Sequence, residues 1–101
     1  MEPIRSVYED DADMLEIVRE FAAELPDRAS ELERCLEAAD LAQLQTMAHQ
    51  LKGAGGGYGF APITERAASL EHALKEGQDE TVVKDRTREL CEVLRAVEVP
   101  E

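Results

Sequence analysis

Asp40-Leu41-Ala42-Gln43-Leu44-Gln45-Thr46-Met47-Ala48-His49-Gln50-Leu51-Lys52-Gly53 is the stretch on which the fold turns. Leu41, Leu44, Met47, Ala48 and Leu51 recur at three- and four-residue steps, the spacing of one apolar stripe on an α-helix. Asp40 stands where an N-cap is expected, since its carboxylate can accept from the unpaired amides of the first turn. Each residue turns the helix by about 100°, so Leu44, Met47, Leu51 and Tyr58 project within about 40° of the direction opposite His49. Ala48 and Leu41 fall on one flank. His49 is therefore predicted to face away from the core, and Lys52, Gly53 and Gly56 lie within about 60° of it along the same outer face.

Outward from this helix the same periodicity continues in both directions. Upstream, Met14, Ile17, Val18, Phe21, Ala22 and Leu25 form an amphipathic stripe. The acidic run Glu9-Asp10-Asp11 precedes it, suited to the positive end of a helix dipole; the glycine and distal Glu of a calcium-binding loop are missing. Pro26 predicts an interruption or kink, because proline lacks the amide hydrogen and crowds the preceding turn. A second stripe follows at Ala29, Leu32, Leu36 and Ala39, with Cys35 beside Leu32. Downstream, Gly59 suits a helix stop and Pro62 the first turn of the next helix. Ile63, Ala67, Leu70 and Leu74 make another stripe, ended by Gly77. Val83, Thr87, Leu90, Leu94 and Val97 make the last, with Pro100 beyond it.

Connections of only a few residues place successive helices side by side and antiparallel. The predicted fold is all-α, an up-and-down four-helix bundle in a single domain over residues 1–101, with the core bundle at about 11–97. The pattern also admits a short extra N-terminal helix within Met1 to Glu9, docked through Ile4, Val7 and Tyr8.

Composition narrows the function. The 101 residues suffice for one core, and a 44% hydrophobic content with 4% aromatic residues and no Trp makes that core aliphatic. A net charge of −12 argues against nucleic acid and against anionic membranes as partners, since both are bound through Lys and Arg. Cys35 and Cys91 match no zinc or C-x-x-C spacing and are expected to be buried, reduced thiols. No apolar run approaches a membrane span, and Met1-Glu2-Pro3-Ile4-Arg5 lacks the order of a signal peptide. A cytoplasmic, monomeric protein is expected. Met1 and the absence of a linker favour a freestanding chain over a piece of a larger one.

His49 is the residue with chemistry to offer. A neutral imidazole keeps one ring nitrogen unprotonated and can attack phosphorus without a helper base. A lysine one turn away can hold incoming phosphoryl oxygens as a point charge. Each glycine within a helix costs about 0.5–1 kcal/mol relative to alanine, so Gly53 and Gly56 need a reason. Together they open a shallow saddle through which a partner's backbone could approach the imidazole.

The spacing His-x-Leu-Lys-Gly-x-x-Gly, met by His49, Leu51, Lys52, Gly53 and Gly56, resembles the signature of the histidine-containing phosphotransfer (HPt) family. The likeness extends to Phe21 through Pro26, Leu32, Leu36, Gly59-Phe60 and Leu70-Glu71, essentially the whole bundle. It implies that His49 takes a phosphoryl group from an aspartyl phosphate on one receiver domain and passes it to an aspartate on another. It further implies that Lys52 supports the phosphoryl group, that Gly53 and Gly56 allow docking, with Gln50 beside them, and that Leu51 is a core residue. The implied partners are response-regulator receiver domains and a hybrid histidine kinase. No cofactor is expected on this chain, magnesium being supplied by the receiver. A non-catalytic adaptor that binds receivers or helices through the same surface is the alternative.

Other chemistry finds less support. The glycine run lacks the Gly-Lys-Ser/Thr of a nucleotide loop and follows no strand. A carboxylate-bridged metal centre needs Glu-x-x-His pairs, but Thr46 and Ser69 stand three residues before His49 and His72. His72 lies beside the Leu70 stripe and reads as a surface or boundary residue. Gln50 stands where a histidine-kinase dimerisation helix carries an acid, and no ATP-binding domain follows, so no ATP-dependent kinase activity is expected. Glu31, Glu33, Glu37, Glu89 and Glu92 read as solvated helix faces.

Overall fold

The computed structural model describes residues 2–100. Among the described residues four helices form: α1 (Ala12–Glu37), α2 (Leu41–Gly57), α3 (Ala61–Lys75) and α4 (Glu80–Ala96). Each packs on its neighbours in the chain, and α1 closes the ring on α4, giving the predicted up-and-down four-helix bundle. At about 1.5 Å per residue the 26 residues of α1 extend about 39 Å and set the 43 Å long axis of the molecule. No helix among the described residues is long and apolar enough to cross a membrane.

The helix starts follow local chemistry. Asp11, Asp40 and Asp79 each accept from a first-turn amide, of Asp13, Gln43 and Val82 respectively. Pro62 occupies the first turn of α3. Val18, Leu25, Leu32, Leu44, Leu51, Phe60, Ile63, Leu70, Leu90 and Leu94 are buried in a single cluster. Full burial of each such side chain contributes about 1.5–3 kcal/mol. Ile17 and Leu41, which their spacing assigns to the apolar stripes, instead lie at the stripe edges and are exposed. Both cysteines are buried free thiols, and burial pushes Cys91 up to about 11.

Two expectations are corrected. Pro26 does not interrupt the helix, and α1 runs through it as one element. Val18, Ala22, Leu25, Ala29, Leu32 and Cys35 keep an unbroken three- and four-residue rhythm across the proline, all buried. Packing on both sides outweighs the cost of about 3 kcal/mol that proline brings to a helix interior. The extra N-terminal helix does not form either. Ile4 instead forms a parallel bridge with Val97, donating from its amide to Ala96 O at 2.9 Å and accepting from the Glu98 amide at 2.8 Å.

This N-terminal strap also covers the α2–α3 turn. Ser6 Oγ donates to Tyr58 O at 2.6 Å, and the Val7 amide donates to Gly59 O at 3.0 Å. Gly59 has φ +83°, and a Cβ there would lie 2.7 Å from Ser6 Oγ and 2.8 Å from the Tyr8 ring. The turn therefore needs glycine both for its backbone and for the room the strap takes. Beneath it, Tyr58 stacks on Phe21 with ring centroids 4.3 Å apart.

Candidate functional site

The bundle places His49 on the outer face of α2, its side chain 68% exposed, while Leu44, Met47 and Leu51 are buried on the opposite side. The helical count thus located the ring correctly. It did not supply what stands beside it. Glu71 of α3, its side chain only 5% exposed, accepts from His49 Nδ1 at 2.7 Å through Oε2. Lys52 Nζ donates to Oε1 of the same carboxylate at 2.5 Å, and Lys75 Nζ lies 3.5 Å from Oε2.

A carboxylate can only accept from Nδ1, so the proton sits there and the lone pair falls on Nε2. That fixes both the tautomer and the plane of the ring. Glu71 is held down to about 2, chiefly by the hydrogen bond from Lys52. The bond from His49 and the charges of Lys52 and Lys75 act in the same direction, against the opposing effect of burial. The stabilisation from this pairing is therefore complete above the ordinary glutamate range, about 4.3, and is lost as pH falls through about 2. Near neutral pH the carboxylate is fully charged.

Close contact between α2 and α3 builds this arrangement. A Cβ at Gly55 would lie 2.8 Å from Thr64 Oγ1 and 2.9 Å from the Thr64 amide nitrogen, so only glycine lets the two backbones approach. Thr64 Oγ1 then donates to Lys52 O at 2.8 Å, pinning the helical turn between His49 and Gly56. Gly55 is thus an internal packing residue. Gly53 and Gly56 differ: a Cβ at Gly53 would meet nothing within 4 Å, and one at Gly56 would make only an ordinary 3.5 Å contact. Both are exposed, as is Gln50, which lines a hollow beside His49.

Gly53→Ala should accordingly stabilise the fold by about 0.5–1 kcal/mol through helix propensity alone. Urea denaturation measures this; a loss of stability would show that Gly53 has an internal packing role after all.

Glu71 is the site residue that the helical reading of α2 did not single out. Its signal was present in α3: Ile63, Ala67, Glu71 and Lys75 follow at four-residue steps, which puts a carboxylate in line with buried positions. His72, by contrast, is exposed and takes no part. Among the described residues no group of three His, Cys, Asp or Glu side chains could hold a metal ion.

Neither a curated protein nor a solved structure matches the chain. The family model described as Hpt domain matches residues 16–98, which takes in all of α2, α3 and α4, the whole His49, Lys52 and Glu71 cluster, and most of α1. By that match the chain belongs to the Hpt domain family, whose members carry out phosphotransfer in phosphorelay signalling.

Proposed function

We propose that the chain is the histidine phosphotransfer protein of a multistep phosphorelay, with His49 as the residue that carries the phosphoryl group. The observation that carries this reading is the engagement of His49 Nδ1 by Glu71 on an otherwise exposed ring. Nε2 attacks the phosphorus of an aspartyl phosphate on a receiver domain; the N–P bond forms and the P–O bond to the aspartate breaks, its electron pair leaving with the carboxylate. A second receiver's aspartate then attacks the same phosphorus, and Nε2 leaves as a neutral imidazole, its Nδ1 proton held against Glu71 throughout. Developing positive charge on the ring is stabilised by that carboxylate.

Lys52, balanced against Glu71, supports the phosphoryl oxygens, while Gly53, Gly56 and Gln50 form the flat surface on which a receiver settles. The receiver supplies the aspartate and the magnesium ion. The bundle acts as a single domain, in the cytoplasm, and draws its phosphoryl group from a partner rather than from ATP. No observation favours the adaptor alternative over relay.

The test is transfer from a phosphorylated receiver to the wild-type protein and to His49→Gln. Label is expected on the wild type and absent from the variant. Equal labelling of both would overturn the assignment of His49, and binding of the receiver without label on either would favour the adaptor.

A further inference from the structure

The hollow between α2 and α3 is unusual for this surface in the sign of its charge. The chain carries −12 overall, yet no Asp or Glu occurs between Asp40 and Glu65. The walls of the hollow include Gln45, Thr46, His49 and Gln50 from α2, with Glu71 and Lys75 from α3. Among the described residues Glu71 is the one acid lining it, and two lysines share that carboxylate. Lys52 is held tightly on Oε1 at 2.5 Å, and Lys75 loosely on Oε2 at 3.5 Å. One negative charge faces two positive ones, which leaves a cation in surplus beside the imidazole.

Lys75 is the more exposed and the more loosely paired of the two lysines. Its side chain is 55% exposed, it meets His49 Nδ1 at the same carboxylate oxygen, and it lines the hollow on a flexible stem. A phosphoryl group on His49 would add close to two negative charges and three strong acceptors at this place. Lys52, already matched to Glu71, cannot neutralise both.

We propose that Lys75 is a second phosphoryl-binding residue, which turns from Glu71 to the phosphoryl oxygens once His49 is modified and so joins Lys52 in neutralising the group. The inference rests on the reading of His49 as the acceptor. The competing account is an ordinary surface pair four residues apart on α3, which stabilises a helix slightly and touches no chemistry.

Phosphoramidate, a small phosphoryl donor, allows the test on the intact 101-residue protein without any partner. The rate of phosphohistidine formation and the pH titration of its phosphorus resonance are followed by NMR for the wild type, Lys75→Gln, Lys75→Arg and His49→Gln. Lys75→Gln is expected to slow formation about fivefold, the effect of one nearby, partly screened charge. It should also move the phosphoryl titration to higher pH, since losing a cation favours the less charged form. Lys75→Arg is expected to restore both. A Lys75→Gln protein that superimposes on the wild type in rate and titration overturns the proposal, as does a deficit that arginine leaves uncorrected. Label persisting in His49→Gln would instead overturn the reading of His49 itself.

Discussion

Leu51→Ala is expected to lower the free energy of unfolding by about 2–5 kcal/mol, whereas His49→Ala, two residues away on the same helix, should change it by no more than about 0.5 kcal/mol. Leu51 is 1% exposed at the centre of the α2 contact with the core, and its removal leaves a cavity that rigid neighbours cannot fill. The loss falls on a helix that is intrinsically weak, because Gly53, Gly55, Gly56 and Gly57 occupy its last turns and contribute little propensity. Against a total stability of about 5–15 kcal/mol for a domain of this size, the change is large. Removing His49 leaves Glu71 still paired with Lys52 and Lys75, so no buried charge is stranded. Chemical denaturation of the two variants decides the matter: comparable losses would show that the two faces of α2 are wrongly assigned.

Glu71→Ala is expected to slow phosphoryl transfer to His49 by about 10- to 100-fold, the usual cost of removing a carboxylate that orients a working histidine. Two effects compete in this variant. The imidazole loses its fixed tautomer and the negative charge that stabilises the ring as it turns positive. At the same time Lys52 and Lys75 are released and can meet the phosphoryl group without a rival, a gain of about fivefold for each nearby charge at most. Because the reaction occurs at the ring nitrogen, disorder there outweighs the extra cations. Glu71→Gln should fall between: its amide oxygen can still accept from Nδ1, but the charge is gone. Transfer rates from one phosphorylated donor to all three proteins provide the measurement, and a Glu71→Ala protein that works at the wild-type rate would remove Glu71 from the mechanism.

Much of this architecture is legible in the sequence. Asp40 and Pro62 announced helix starts and Gly59 a stop, because each has a strong local reason to be there. The outward direction of His49 followed from counting turns. At Pro26 the local helix-breaking tendency yields to a longer pattern: the buried rhythm from Val18 to Cys35 passes through it without a change of phase. The glycines were harder. Spacing alone cannot tell a glycine that admits a neighbouring helix, such as Gly55, from one that faces open space, such as Gly53. Glu71 escaped for a related reason. Its meaning comes from two helices brought together, and neither helix alone shows that a glutamate on α3 will reach a histidine on α2.

The clasp between the two ends of the bundle bears on the order in which the molecule assembles. Pairing Ile4 with Val97 closes almost the entire chain into a loop, and the entropy lost in that closure is recovered only when all four helices already hold the ends close together. The strap is therefore expected to be a late contact, absent from a nucleus built of neighbouring helices. Since it also grips Tyr58 and Gly59, the glycine-rich end of the histidine helix should gain its final restraint only as folding completes.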